Sequence, residues 1–130
     1  MYKPYFKKIQ VEQDAIDDLN HVNNVIYVQW IQDIAKEHWQ EKASKELLEN
    51  CIWVVKSHFI EYKKAAVLND VIALKTFIKL SKGALSIRMV EMHDETTGEL
   101  ILTSKTEWVL LDSKSLRPIR VSEEIKDVFR

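Results

Sequence analysis

One stretch, from Ile16 to Trp39, constrains the fold of this chain more than any other. Its first part places two carboxylates, three amides and one imidazole within the eight residues from Asp17 to Asn24. Its second part has the periodicity of one long helix, predicted from about Asn23 to Lys42. On a wheel of about 100° per residue, the apolar side chains fill an arc of roughly 220°, whereas a helix on a flat sheet needs about 100°. This favours a helix wrapped by a curved sheet, with a buried helix of a bundle as the alternative.

The polar cluster lies at the N-terminal end of the predicted helix, where free N–H groups create a partial positive charge. One interpretation is capping, because an Asp or Asn side chain can accept a hydrogen bond from such an N–H. The other is a catalytic carboxylate beside N–H groups that stabilise developing negative charge. Spacing alone favours capping. One cap would suffice, however, and the cluster has six polar side chains.

The rest of the chain predicts an antiparallel sheet. A first strand covers Phe6 to Val11, and Ser44 is a plausible N-cap for a short second helix ending near Asn50. After Cys51 the hydrophobic period changes from 3.6 to 2. Four long strands follow, predicted at Ile52 to Ala65, Val71 to Leu80, Leu85 to Met89 and Leu100 to Leu111. The turns between them are short, which implies antiparallel neighbours, and a short helix at 122–129 ends the chain.

Side-chain alternation predicts which face of each strand is buried. The first long strand is apolar on both faces, with Trp53, Val55 and Phe59 on one and Val54, Ile60 and Tyr62 on the other. This pattern predicts a central strand or a strand in an oligomer interface.

On the strand after Gly83, the apolar set is predicted to point inward and the polar set outward. The inward set is Leu85, Ile87 and Met89, and the outward set is Ser86 and Arg88.

Together the elements predict a single α+β domain over residues 1–130, with an antiparallel β-sheet wrapped around a long central helix. This arrangement resembles the hot-dog fold. A single sheet of this kind leaves edges unprotected, so a homo-oligomer that covers them is physically reasonable.

Composition excludes several classes of function. Of 130 residues, 46% are hydrophobic and the net charge is −1, with no basic run suited to a nucleic acid. No apolar run approaches the roughly 20 residues of a membrane span. Cys51 is the only cysteine, which excludes an intramolecular disulfide and suits a reducing compartment, so a cytoplasmic location is predicted. The histidines lack metal-site spacing and Gly83 and Gly98 are isolated, so neither a metal nor a cofactor is predicted.

The polar cluster resembles the signature of hot-dog acyl thioesterases, Asp-x-x-Gly/Gln-His-Val-Asn-Asn-x-x-Tyr-x-x-Trp/Phe, over Asp17 to Trp30. These are the 4-hydroxybenzoyl-CoA thioesterase-like acyl-CoA hydrolases and the acyl-ACP thioesterases. Ser57 to Ala65, before the turn Asn69-Asp70, is similar to a second signature with an acidic residue, Tyr and a basic stretch. Trp108 to Asp112 and Arg117-Pro118-Ile119 resemble the closing strand and turn. The resemblance therefore covers nearly the whole chain.

The resemblance implies hydrolysis of an acyl thioester of CoA or of acyl carrier protein, at a site between two protomers. It assigns the catalytic carboxylate to Asp17, acting as base or nucleophile. His21 would hydrogen-bond the substrate carbonyl, orient Asp17 or fix the loop, and Asn23 and Asn24 would support the helix end. Glu61 would face a neighbouring protomer's pocket, with a surface salt bridge as its alternative role.

Three departures from the family pattern leave an alternative open. Asn20 replaces the common Gly before the histidine, Leu19 stands where acyl-ACP enzymes have a site Asn, and Ala65-Ala66 replaces their Glu-Cys pair. A non-catalytic acyl-thioester-binding protein is therefore the second hypothesis. A hydratase or dehydratase ranks third because its characteristic motifs are absent from the sequence. A homodimer and a homotetramer are both compatible with the pattern.

Overall fold

The computed structural model describes residues 2–130 as a five-stranded antiparallel sheet and three α-helices. The strands are β1 (Tyr5–Gln10), β2 (Cys51–Tyr62), β3 (Val71–Lys82), β4 (Leu85–Asp94) and β5 (Leu100–Asp112). The helices are α1 (Asn24–Lys42), α2 (Lys45–Asn50) and α3 (Glu123–Val128), with a 3-10 turn at Gln13–Ala15. The strand order is β1-β3-β4-β5-β2, so β1 and β2 form the two edges. The α+β class predicted from the sequence is confirmed.

Helix α1 is the central helix that the sequence predicted. It begins after Asn23, whose side-chain oxygen accepts a hydrogen bond of 3.0 Å from the N–H of Val25. Six of its side chains are buried against the sheet: Tyr27, Ile31, Ile34, Ala35, His38 and Trp39. Ser44 caps α2 in the same way, accepting from the N–H of Leu47 at 3.2 Å. The surrounding antiparallel sheet rules out the bundle alternative.

The predicted orientation of β4 is wrong. Ser86, Arg88, Val90 and Met92 face the helix and are buried, whereas Leu85, Ile87 and Met89 lie half-buried on the outer face. The prediction assumed that the apolar set points inward. Arg88 instead faces inward because its guanidinium has neutral partners there, the ring of His38 and the hydroxyl of Thr76.

The predicted faces of β2 are correct only for its first half. A β-bulge between Val55 and Ser57 inserts one extra residue against β5. A bulge reverses the alternation of all side chains beyond it. Phe59 is therefore 63% exposed instead of sharing the face of Trp53, while Ile60 packs against the core.

The core has two clusters, one at each end of α1. The first surrounds Tyr27 and Ile31, and the second joins Trp39 to Ile125 and Phe129 at the end of the chain. The backbone N–H of Lys3 donates to the carbonyl of Phe129 at 2.7 Å, so the two ends of the described chain lie side by side. Within the described residues, no helix is both long enough and apolar enough to cross a membrane.

Candidate active site

The loop before α1 is organised around the carboxylate of Asp17. Its Oδ1 accepts hydrogen bonds from the backbone N–H groups of Leu19 (2.9 Å) and His21 (3.2 Å). The backbone N–H of Asp17 donates to the carbonyl of His21 at 2.8 Å, which closes the loop. One carboxylate oxygen is thus fixed by the backbone, and Oδ2 accepts no hydrogen bond from the described residues. A half-buried carboxylate with one fixed and one free oxygen has a defined orientation and can still accept a proton.

Asn20 adopts a left-handed backbone conformation, with φ of 62°. Glycine adopts this region without penalty, and Asn is among the few other residues that tolerate it. The replacement of the family's Gly by Asn20 therefore preserves the turn that places His21 beside Asp17.

The first turn of α1 separates the roles of its two asparagines. Asn23 is the N-cap, and its own N–H donates to the carbonyl of Ala15 at 2.9 Å. Asn24 is the first helical residue, and its backbone N–H donates to no acceptor within residues 2–130. Since free N–H groups at a helix N-terminus attract negative charge, the Asn24 N–H is available to a polarised carbonyl oxygen.

The segment after β2 forms the opposite wall of the site. The buried hydroxyl of Tyr27 accepts a hydrogen bond of 3.0 Å from the N–H of Ala66, and the N–H of Val22 donates to the Ala66 carbonyl at 3.0 Å. Burial raises the pKa of Tyr27, and the hydrogen bond from Ala66 opposes this shift. Tyr27 therefore connects this wall of the site to the helix.

A cleft of about 430 Å³ lies between these walls. Its lining residues are Asp17, Leu19, His21, Val22, Asn24, Tyr27, Tyr62, Lys63, Lys64 and Ala65. The exposed ring of His21 borders the cleft but makes no hydrogen bond to the Asp17 carboxylate within the described chain; only its backbone N–H does. The cleft thus brings together Asp17, His21 and Asn24, three of the residues that the sequence assigned to the site, and their catalytic roles stay predictions.

Glu61 is not part of this cleft. Its side chain is exposed on β2, and its carboxylate lies 3.5 Å from the ammonium group of Lys63. Asp18 is exposed as well. Within one copy of the chain, Glu61 therefore makes the surface salt bridge that was its alternative role, and its predicted role toward a neighbouring protomer stays a prediction.

The sequence did not predict that Tyr27 and residues 62–65 line the cleft. Both lay within the two quoted signatures, so the signal was present. What the sequence did not reveal is the hydrogen bond across 39 positions that joins Tyr27 to Ala66.

The comparisons with known proteins identify the fold and the family of the chain. Residues 3–129 match the model of the acyl-ACP thioesterase N-terminal domain family. The long-chain acyl-CoA thioesterase FadM of Escherichia coli strain K12 is 21% identical over an alignment of 122 residues that covers 92% of this chain and 92% of FadM. The probable thioesterase YbaW of Escherichia coli superposes with a TM-score of 0.85 at 21% identity, over 95% of this chain and 94% of that one. The 12:0-ACP thioesterase of Umbellularia californica has a TM-score of 0.82 at 14% identity, over 98% of this chain and 51% of that one.

The fold and the cleft at the end of α1 define a hot-dog protein of the acyl thioesterase class. The chain belongs to the acyl-ACP thioesterase N-terminal domain family. The predicted activity, thioester hydrolysis, is confirmed at the level of this class.

Proposed function

We propose that Asp17 is the catalytic carboxylate of this hydrolase, acting as base or nucleophile toward the thioester carbonyl. The observation that carries this proposal is the hydrogen bonding of Asp17: backbone N–H groups hold Oδ1 in place and leave Oδ2 free beside the cleft. General base catalysis requires a proton acceptor in a fixed position. The carboxylate of Asp17, held by two backbone N–H groups, is such an acceptor.

The N–H of Asn24 is the proposed donor to the carbonyl oxygen. It borders the same cleft at the positive end of a 19-residue helix. A donor at this position stabilises the oxyanion of the tetrahedral intermediate more than the neutral carbonyl, and only such a difference lowers the barrier. Asn23 supports this donor by capping the helix.

Two routes of hydrolysis fit this arrangement. As a general base, Asp17 takes a proton from water while the water oxygen bonds to the carbonyl carbon. The C–S bond then breaks, and the thiolate leaves and is protonated, giving a carboxylic acid and a thiol. As a nucleophile, Asp17 bonds to the carbonyl carbon, the C–S bond breaks and the thiolate leaves, and water then attacks the aspartyl carbonyl carbon of the resulting acyl anhydride. A single turnover in ¹⁸O-water distinguishes the routes, because the base route puts ¹⁸O into the released acid, whereas this nucleophilic route gives the acid an unlabelled oxygen of Asp17.

The proposed substrate is an acyl thioester of CoA or of acyl carrier protein. The name of FadM, a long-chain acyl-CoA thioesterase, supports CoA as the carrier. The name of the family, acyl-ACP thioesterase, supports acyl carrier protein. Thiol release from acyl-CoAs and from acyl-ACPs of matched chain length decides between them.

We further propose that two copies of the chain associate through β2 into a homodimer, with a homotetramer as the larger alternative. The strand is a 12-residue edge and exposes apolar side chains, including Val54 at 40% and Phe59 at 63%. A long apolar edge pairs readily with another strand. Pairing there would also bring a second chain close to the segment after β2 that forms one wall of the cleft.

Asp17→Asn tests the proposed chemistry. The Asn side-chain oxygen can still accept from the N–H groups of Leu19 and His21, so the loop is expected to keep its shape. It cannot accept a proton at neutral pH, and we expect thiol release to fall by about 100-fold or more. Asp18→Asn is the matched control, because it removes a neighbouring exposed carboxylate and should leave turnover within about twofold.

Unchanged turnover in Asp17→Asn would contradict the assignment of Asp17. Absence of turnover by the wild-type protein on every acyl-CoA and acyl-ACP offered, with binding retained, would instead favour the acyl-thioester-binding alternative.

A further inference from the structure

A second cavity, of about 370 Å³, lies at the other end of α1. It is lined by the second half of the helix, by α2 and the start of β2, and by side chains of β3, β4, β5 and the C-terminal segment. Three of the four tryptophans line it, Trp39, Trp53 and Trp108. This cavity and the cleft of Asp17 have no lining residue in common. From Tyr27 to Trp39 the helix rises about 18 Å, so the two spaces are separate.

The cavity wall contains a buried cation, the guanidinium of Arg88, which is 4% exposed. Its Nη1 donates to Nδ1 of His38 at 2.9 Å and to Oγ1 of Thr76 at 3.1 Å. Its carbon Cζ lies 5.1 Å from the centre of the Phe129 ring. Since a guanidinium has no acceptor, His38 must accept at Nδ1 and carry its proton on Nε2.

All of these partners of Arg88 are neutral. Burial followed by the charge of Arg88 lowers the pKa of His38 to about 3, so His38 is uncharged at neutral pH. Burial lowers the pKa of Arg88 to about 9, which leaves it charged under the same conditions. Within residues 2–130, no carboxylate forms an ion pair with Arg88. A buried charge without a counter-ion is costly, and proteins ordinarily pair it.

The other lining residues also supply no negative charge to balance Arg88. None of them is acidic, and Lys36 adds a second cation on the exposed side of α1. The indole N–H groups of Trp53 and Trp108 are buried and lack an acceptor within the described chain. The surroundings of the cavity therefore have an excess of donors and positive charge within largely apolar walls.

We propose that this cavity is a second ligand site, which binds a small organic monocarboxylate with its carboxylate toward Arg88 and its apolar body against the tryptophans. A planar guanidinium matches a carboxylate with two parallel hydrogen bonds, and the aromatic walls match an alkyl or aromatic body. A neutral apolar ligand would fill the space but leave Arg88 without a counter-ion. The ligand is therefore expected to be an anion. The site shares no lining residue with the thioester cleft, so this proposal does not depend on the role of Asp17.

Octanoate and octanamide, of equal chain length, test the charge requirement. We expect octanoate to bind with at least tenfold higher affinity than octanamide, by isothermal titration calorimetry at pH 7.5. Arg88→Met should reduce the affinity for octanoate at least tenfold, to that for octanamide. Arg88→Lys should retain part of the preference for octanoate over octanamide. Asp17→Asn should leave octanoate binding unchanged, because the cleft shares no residue with this cavity.

The tryptophan indole N–H resonances of the wild-type protein locate the ligand without any substitution, which covers the case of an Arg88 variant that does not fold. Octanoate should shift the signals of Trp39, Trp53 and Trp108 and leave that of Trp30 in place. Equal affinity for octanoate and octanamide would overturn the proposal. So would no binding, or binding that Asp17→Asn abolishes and Arg88→Met preserves, since the carboxylate would then occupy the catalytic cleft.

Discussion

Asn20 shows how one backbone angle controls the geometry of the candidate site. Its φ of 62° creates the turn that brings the N–H of His21 to the carboxylate of Asp17. We expect Asn20→Gly to keep both stability and turnover, because Gly adopts the left-handed region freely. Asn20→Val should cost about 1–2 kcal/mol of unfolding free energy, because a side chain with a branched Cβ is strained there. Urea unfolding and thiol release measure the two effects.

If Asn20→Val were as stable and as active as the wild type, the left-handed turn would not be what orients Asp17. Asn20→Gly serves as the control, since it removes the amide side chain without imposing strain.

Tyr27 contributes through one hydrogen bond to the opposite wall of the cleft. Tyr27→Phe leaves the buried N–H of Ala66 without an acceptor. An unsatisfied buried donor costs about 1–3 kcal/mol, so we expect a loss of that size in urea unfolding. Tyr62→Phe is the control, because the Tyr62 side chain is 46% exposed and its hydroxyl makes no hydrogen bond within the described chain. Equal stability of the two variants would mean that Tyr27 does not fasten this wall.

At the level of elements, β2 is where the fold leaves the most apolar surface uncovered on a strand. Val54 and Phe59 lie on its outer face, on either side of the bulge. We expect the double substitution Val54→Lys and Phe59→Lys to prevent formation of the proposed homodimer, because lysines on a paired edge repel one another and must be desolvated. Light scattering after size-exclusion chromatography measures the mass.

Phe6→Lys is the matched control for the β2 edge. Phe6 is 66% exposed on β1, the opposite edge of the sheet. The Phe6→Lys substitution should leave the mass of the proposed homodimer unchanged. Dissociation by Phe6→Lys alone, or a monomeric wild-type protein, would contradict the proposed interface.

The sequence predicted the elements well because their signals are local. The helix periodicity placed α1 within one residue of its observed start, and cap residues marked the starts of α1 and α2. The errors were in β2 and β4, where apolar residues occupy both faces and alternation alone cannot identify the buried one. The bulge in β2 and the inward Arg88 both depend on partners from distant strands, which the local pattern does not contain. For the same reason the sequence placed Asp17 and His21 next to the start of α1, whereas it did not predict the contact between Tyr27 and Ala66.

For the whole molecule, His38 links the sheet, the central helix and the C-terminal segment. Its ring stacks on Tyr5 at 4.8 Å, contacts Phe129 and accepts from Arg88. Its pKa is about 3 in the folded protein, against about 6.5 in an unfolded chain. The unfolded chain therefore binds more protons between these values. The contribution of neutral His38 to the free energy of unfolding is therefore complete above pH 6.5 and is lost as the pH falls toward 3.

We expect His38→Gln to weaken this acid dependence. Between pH 6.5 and 4 the free energy of unfolding of the wild type should fall more steeply than that of the variant, by up to about 1.4 kcal/mol per pH unit. Gln can still accept from Arg88, so the packing at neutral pH should be largely retained. The exposed His21→Gln is the control and should follow the wild-type curve. If the free energy of unfolding of His38→Gln fell with pH as steeply as that of the wild type, His38 would not be the source of the loss of stability in acid.

The hydrogen bond between Lys3 and Phe129 has a consequence for how the chain can be cut and rejoined. Because Lys3 and Phe129 are hydrogen-bonded neighbours, a short linker could join the chain at these two positions. New ends could then be opened at the exposed Gly83 or Gly98, in the hairpin turns between β3 and β4 or between β4 and β5. In such a permutant the helix and sheet would be assembled in a different order, and both cavities would keep all of their walls.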